Sequence, residues 1–327
     1  MLMTFEEFKE IKTVNELNKE GIQISHFNPL PDYYDDYMDS RDVVRLIPTD
    51  FSYICSTHRG FIKYIEIEFD NDVVTLLYES LFFCNPPQIK VYELPVSKNR
   101  DESNIRSLIR ELNRKDFKKI YIVDDYGKDV LGVDAEPSTE ESNFYDNYDF
   151  VMSTKDKQKF KTKYRFKYLK EHCHSVFTET LSPEQRDEVL GLRTTWEKYF
   201  PHKVYSTKYF KGAVDFSSSD TFNMLTYYDN EIVHYNKVYV RKNGAQRVFS
   251  VNAARYKTGD EERNKNIYNI DRYTRIPLLE YLHSMGIDIV YHLGTGGDDG
   301  TAGMYDYKKR THEGCVPFYV IKIGAGQ

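Results

Sequence analysis

The amino-acid sequence predicts an α/β (α+β) protein of two units in tandem, each a mixed, largely antiparallel sheet flanked by helices. Three observations carry this expectation. Apolar runs with strand character, broken by turn residues, occur at about 51–94 and again at 222–256. Each block is followed by an amphipathic helix and a further strand. Between the blocks, residues 131–149 hold six acids (Asp134, Glu136, Glu140, Glu141, Asp146, Asp149) and no base, a composition that suits a surface loop. The expected organisation is an N-terminal unit over 1–135, an acidic linker over 136–152 and a C-terminal unit over 153–327.

In the first unit, Phe5, Phe8, Ile11, Val14 and Leu17 recur at helical spacing over 5–19. Strands are expected over 51–55, 61–69, 73–84 and 89–94, separated by Asn71-Asp72 and Asn85-Pro86-Pro87. A helix over 103–114 places Ile105, Leu108, Ile109 and Leu112 on one face, and a short strand over 119–123 follows. The second unit opens with a reversal of charge. From Lys155 to Lys170 there are eight bases against one acid, with Phe160, Tyr164, Phe166 and Tyr168 interleaved. Ser153 or Thr154 supplies an N-cap for a helix there. A helix over 183–199 starts from Ser182, with Pro183 in its first turn. The meander 222–228, 232–241 and 247–256 turns at Asp229-Asn230 and at Asn243-Gly244, the latter a strong hairpin signal. A helix over 266–284 contains Pro277, which either kinks it or begins its second part, and Met285-Gly286 closes it. Strands over 287–293 and 316–321 complete the chain.

With 40% hydrophobic and 15% aromatic residues, the composition is that of a globular protein. A net charge of −6 excludes a wholly basic nucleic-acid coat and leaves local patches able to bind phosphates. The four cysteines, Cys55, Cys84, Cys173 and Cys315, show no paired spacing, which fits a reducing compartment. Acids among the first seven residues do not fit a signal peptide. No apolar run approaches the roughly 20 residues of a membrane span. A soluble cytoplasmic protein is expected.

The most chemically suggestive stretch lies between the last two strands. It reads Gly294-Thr295-Gly296-Gly297-Asp298-Asp299-Gly300, then Gly303 and Tyr307-Lys308-Lys309-Arg310. Glycines allow a ligand to approach the backbone closely, and the Lys-Lys-Arg triplet suits an anion. Without Gly-Lys-Ser/Thr this is no P-loop. With 27 residues after Gly300 there is no room for the βαβ unit of a dinucleotide fold. Asp298 and Asp299 read as solvated turn acids. His172-Cys173-His174 lacks a second ligand pair with finger spacing, so no metal site is expected. Cys315, three residues after His312, suits a buried thiol or a Cys–His pair.

The order helix, antiparallel meander, helix, strand, turn, strand resembles the GNAT acyltransferase fold. Two such units in tandem resemble Fem-type aminoacyl transferases and the catalytic domain of phosphatidylglycerol lysyltransferases, the DUF2156 type. Three stretches between about 148 and 322 carry the likeness, which is much weaker before 130. Tyr148-Asp149-Phe150-Val151-Met152-Ser153 with Lys161–Lys170 resembles the aromatic, Ser/Thr and then basic opening of the family's second unit. Ile267-Tyr268-Asn269-Ile270 leading to Tyr281 resembles its central helix. Leu293-Gly294, Ala302-Gly303-Met304 and Tyr307-Lys308 resemble the elements before its last strand.

The resemblance implies an acyltransferase with no tightly bound cofactor, using acyl-CoA or aminoacyl-tRNA as co-substrate. The acceptor would be an amine or a hydroxyl, including a modified nucleotide in nucleic acid. One departure matters. Acetyl-CoA-dependent members carry Gln/Arg-x-x-Gly-x-Gly/Ala before the central helix, where backbone N–H groups hold the pyrophosphate. Here Lys257–Ile267 has one glycine and three consecutive acids. Acetyl-CoA is therefore unsupported, and an aminoacyl-tRNA or an unusual acyl carrier gains weight.

Acyl transfer needs a nucleophile, an acceptor for its proton and donors facing the developing oxyanion. Lys308 matches the family's lysine and is expected to stabilise the oxyanion or a phosphate; the alternative is a solvated lysine at a strand start. Asp271 or Tyr307 would assist the proton. Asp271 and Arg275, at i and i+4, equally suit a plain intrahelical ion pair. Arg272, Arg275, Lys309, Arg310, Gly294, Gly296 and Gly303 are the expected donor or acceptor contacts. Lys161, Lys163 and Arg165 would meet a polyanion such as tRNA, CoA or nucleic acid, with base stacking on the interleaved aromatics. The alternative for that helix is a solvated face paired with the acidic loop. A rival reading of the whole chain is a non-catalytic nucleic-acid-binding module on a degenerate GNAT scaffold.

Overall fold

Strand pairing, rather than chain order, decides which sheet each strand joins. The computed structural model describes residues 2–24, 28–40, 62–133, 148–153, 163–199, 207–217, 219–241, 244–251, 261–292, 314–317 and 319–324. The described residues of Met1–Tyr148 and Val316–Gln327 gather in one compact unit, and those of Asp149–Thr295 and Ala302–Cys315 in another. Each unit carries a mixed sheet with helices. Among the described residues no helix is long and apolar enough to cross a membrane.

The first unit contains β1 (Leu2–Thr4), α1 (Phe5–Glu10), α2 (Val14–Glu20), β2 (Ile22–Gln23), α3 (Asp32–Ser40), β3 (Ile62–Phe69), β4 (Asp72–Leu81), β5 (Gln88–Tyr92), β6 (Val96–Ser97), α4 (Glu102–Arg114), β7 (Lys118–Val123) and α5 (Asp125–Leu131). The helix expected over 5–19 is two helices, because Thr13 starts a second one. Each opens with a capping box: Thr4 with Glu7 and Thr13 with Glu16 exchange side-chain and backbone hydrogen bonds. Phe8, Ile11, Val14 and Leu17 nevertheless share the same buried core, joined by Ile105, Leu108, Ile109 and Leu112 of α4. Two buried lysines seal helix ends. Lys119 Nζ donates to the carbonyls of Asn113 and Lys115 at the end of α4, and Lys115 Nζ to those of Phe8 and Lys9 at the end of α1. The strand expected over 51–55 lies outside the described residues.

The sheet of this unit runs β1-β3-β4-β5-β7 and ends in β15 (Tyr319–Ile323), with β2 on β3 and β6 on β4. β15 pairs antiparallel with β7, Tyr319 opposite Val123 and Ile323 opposite Lys119. Tyr319 and Ile321 are buried in the first core. The chain's last strand thus belongs to the first sheet, whereas the expected limits placed all of 153–327 in the second unit. Its alternating burial suits either sheet, so sequence order could not choose between them.

The second unit contains β8 (Tyr148–Ser153), α6 (Lys163–His172), β9 (Cys173–Thr178), α7 (Pro183–Tyr199), α8 (Thr207–Asp215), β10 (Thr221–Tyr228), β11 (Glu231–Arg241), β12 (Gly244–Val251), α9 (Glu261–Asn266), α10 (Ile270–Ser284), β13 (Ile289–His292) and β14 (Gly314–Pro317). The sheet order is β14-β8-β13-β12-β11-β10-β9. β8 takes residues from the expected linker and pairs with β13. Asp229 and Asn230 turn β10 into β11 with φ of 49° and 67°, the left-handed conformation those two residue types tolerate. On one face of the sheet, Val189, Leu192, Phe210 and Val214 of α7 and α8 cover Leu225, Ile232 and Tyr235. On the other, Leu278, Leu279 and Leu282 of α10 cover Phe222, Met224 and Val238. α10 runs through Pro277 as one helix, and Gly286, at φ 79°, closes it by donating to the carbonyl of His283.

Candidate active site

β12 and β13 pair parallel, Ala245 with Val290 and Arg247 with His292, whereas β11, β10, β9 and β8 pair antiparallel with their neighbours. The C-terminal ends of β12 and β13 therefore reach the same edge of the sheet. The start of β11 lies there too, because Tyr235 is opposite Val251. In α/β sheets this edge, outside the carboxyl ends of parallel strands, is where ligands commonly bind.

The first turn of α10 brings Asp271 over the start of β11. Asp271 Oδ1 lies 3.3 Å from His234 Nε2, and Asp271 Oδ2 lies 3.5 Å from Arg275 Nη2. Of these side chains, His234 is 0% and Arg275 1% exposed, while Asp271 is 32% exposed. The histidine and arginine thus sit within the protein and the carboxylate reaches the surface. Behind His234, Asn236 Nδ2 lies 3.3 Å from His234 Nδ1 and 3.6 Å from Met224 Sδ. With Asn236 Nδ2 as donor to Nδ1, the imidazole proton falls on Nε2, facing Asp271; the opposite tautomer would require the Asn236 amide to present Oδ1 instead. Asn236 Oδ1 is buried without a hydrogen-bond partner. Thr226, opposite His234, continues the polar line by bonding Ser175 Oγ at 3.0 Å.

This polar line divides the core beneath α10. On one side lies the cluster of Phe222, Met224, Val238 and Leu278; on the other lie Leu169, Tyr228, Val233, Ile267 and Tyr273. Helix α6 belongs to the second cluster and packs against α9 and α10. Tyr168 Oη lies 2.8 Å from Tyr228 Oη and accepts from Asn266 Nδ2 at 3.3 Å. The Tyr168 ring stacks on His172 at 4.2 Å, and Phe166 meets Tyr273 at 6.4 Å. Phe166 and Tyr168 are half-buried and pack against this core, so part of each ring is engaged there. Lys167 and Lys170 remain exposed on α6.

Of the residues singled out by sequence, the structure brings Asp271 and Arg275 together and places half-buried Arg272 beside them. The i,i+4 pair forms, yet it is also tied to His234, a contact that helical spacing does not reveal. Lys163 and Arg165 lie on α6, but their side chains lie outside the described residues, as do Lys308, Tyr307, Lys309, Arg310, Lys161, Gly294, Gly296 and Gly303 altogether. The sequence reading missed His234 and Asn236. Their signal was two polar residues at i and i+2 within an otherwise buried strand, facing one side.

The opposite face of β11 carries a second polar group. Lys237 Nζ donates to the carbonyl of Phe216 at 2.5 Å and to Asn223 Oδ1 at 3.0 Å, and Tyr235 Oη donates to the same Oδ1 at 2.9 Å. Burial pushes the Lys237 ammonium down to about 8. The His172-Cys173-His174 triplet resolves into packing: His172 stacks on Tyr168, and His174 stacks on Tyr227 at 5.0 Å. Burial, aided by Asp229, pushes the Cys173 thiol up to about 12, the opposite of an activated nucleophile.

No protein-family model matches the chain, and no curated protein is significantly similar to it. Solved structures do match. L-PGS from Bacillus licheniformis is 10% identical with a TM-score of 0.54, the match covering 94% of this chain and 94% of that one. The DUF2156 C-terminal domain assigned to a lysylphosphatidylglycerol synthetase of Agrobacterium fabrum is 11% identical, covers 88% and 90%, and has a TM-score of 0.54. FemX is 8% identical, covers 83% and 91%, and has a TM-score of 0.54. These are GNAT-fold proteins of the Fem-like and DUF2156 types, so the resemblance read from the sequence extends to the fold over 83–94% of the chain. At such identities the likeness speaks to fold alone.

Proposed function

We propose that the chain is an acyltransferase that moves an activated acyl or aminoacyl group onto an amine or hydroxyl, at the edge where β12 and β13 end. The observation that carries this reading is the Asp271 carboxylate, surface-reaching at that edge and held from behind by His234 and Arg275. The shared fold with L-PGS and FemX supports the same reaction class. In the proposed reaction the acceptor's nitrogen or oxygen attacks the activated carbonyl. Asp271 or Tyr307 takes the proton released, and the ester or thioester bond to the carrier breaks as the carrier's oxygen or sulfur leaves. Lys308 offsets the charge that develops on the carbonyl oxygen. The exposed bases of α6, with Lys161, Lys163 and Arg165, would hold a polyanionic carrier, tRNA or CoA.

Mass spectrometry of the purified chain, incubated with a series of acyl-CoAs and with charged tRNA plus primary-amine acceptors, tests the reading. Transfer from one donor class, lost in Asp271→Asn and Lys308→Ala, is the expected result. Absence of both binding and transfer with every donor would refute it and favour a non-catalytic module.

A further inference from the structure

We infer that His234 is a positioning residue for Asp271: it aims the carboxylate through its Nε2–H while Asn236 fixes which ring nitrogen carries the proton. The inference rests on the transferase reading for what Asp271 does, but not for how it is held.

Three features support it. First, both ring nitrogens of His234 face a polar partner, Nδ1 at 3.3 Å from Asn236 Nδ2 and Nε2 at 3.3 Å from Asp271 Oδ1, and a single tautomer with the proton on Nε2 satisfies both contacts. A histidine with both nitrogens engaged cannot rotate without breaking a buried bond. Second, the line has a single surface-reaching member among these three, since His234 and Asn236 are 0% exposed and the Asp271 side chain is 32% exposed. Whatever the array orients, it orients at Asp271.

Third, the polar groups lie where packing alone would favour apolar ones. His234 and Asn236 are flanked by Met224, Val233 and Val238, beneath a helix that buries Ile270, Leu278, Leu279 and Leu282 beside Thr274 and Arg275. A leucine at 234 would fill the space without a buried polar group to satisfy, and the Asn236 carbonyl is left without a partner. A buried polar line kept at that cost, ending in one surface carboxylate, is the arrangement needed to hold a reactive group in one orientation. Arg275 acts on the other oxygen, so both carboxylate oxygens are directed. Spacing along α10 identifies Arg275; only the strand-to-helix crossing identifies His234.

The test combines a spectroscopic signature with kinetics on the full chain. Protein labelled with 15N-histidine is compared with His234→Gln, which identifies the His234 signal. Wild type should show the Nε2–H form with a slowly exchanging imidazole proton, and Asp271→Ala should lose that slow exchange. A ring protonated on Nδ1, or averaging freely between forms, would overturn the inference.

In transfer assays with the acyl-CoA series and charged tRNA, His234→Leu should lower kcat about tenfold or more with KM within about twofold. His234→Gln, which keeps an N–H donor, should recover much of it. A folded His234→Leu protein with wild-type kcat would overturn the inference. If His234→Leu does not fold, the Gln variant and the Asp271→Ala exchange measurement still decide. Wild-type protein inert toward every donor, yet showing the expected exchange behaviour, would refute the transferase reading while supporting the orientation of Asp271 by His234.

Discussion

Lys237→Met isolates the energetic consequence of a charge buried in an interior strand, β11, of the second sheet. The lysine is 2% exposed and donates to neutral acceptors, the Phe216 carbonyl and Asn223 Oδ1. Burial lowers it from 10.5 to about 8. Between those values the unfolded chain keeps a proton that the folded chain has released, so folding stability rises with pH through that window. The gap of 2.5 between the two values corresponds to about 3 kcal/mol of destabilisation at pH 7, of which less than about 1 kcal/mol remains at pH 10. Wild type should therefore gain about 2.5 kcal/mol over Lys237→Met between pH 7 and pH 10. Buried tyrosines act in the other direction: burial raises Tyr235, Tyr121 and Tyr78, so the folded state holds their protons longer and loses stability above about pH 10. That contribution is common to both proteins and cancels in the difference. Urea titrations at pH 7, 8, 9 and 10 measure it through the chain's single tryptophan, Trp196, which lies on α7 of the same unit. A difference that stays flat, or falls as pH rises, would refute the reasoning.

Three further outcomes are expected. Cys173, its thiol raised by burial, should resist iodoacetamide at pH 8 in native protein and react after unfolding, as read by peptide mass spectrometry; native labelling would contradict its packed environment. Thr13→Ala removes the oxygen that caps α2 and should destabilise the first unit by about 1 kcal/mol, measured by circular dichroism during urea unfolding. Lys167→Glu with Lys170→Glu should weaken retention of charged tRNA and flatten its salt dependence. Unchanged retention would remove α6 from the donor site.

Much of the fold was legible because local rules and tertiary packing agreed. The α4 stripe of Ile105, Leu108, Ile109 and Leu112 is buried as its spacing predicts, and Asp229-Asn230 turns the hairpin where the turn chemistry indicated. The 5–19 segment shows the limit of periodicity. One apolar face runs through both α1 and α2, but Thr13 and Glu16 form a capping box that starts a new helix. At the candidate site, the i,i+4 relation of Asp271 and Arg275 was visible because both lie on one helix. His234 and Asn236 were not linked to them, since they lie 35 or more positions earlier on a strand.

By itself, the sequence determined the class of the chain, two strand-rich α/β units, most of their helix and strand periods, and the resemblance to GNAT-fold transferases. Those follow from short-range chemistry: apolar spacing, caps and turn residues. Tertiary structure alone decided that the last strand pairs with β7, that β8 joins the second sheet, and that a histidine and an asparagine from β11 meet a carboxylate on α10. Backbone hydrogen bonds between strands carry no record of chain position, so an alternating strand fits any open edge whose face it can bury. Contacts between a strand and the helix crossing it depend on register and crossing geometry, which arise only when both are packed.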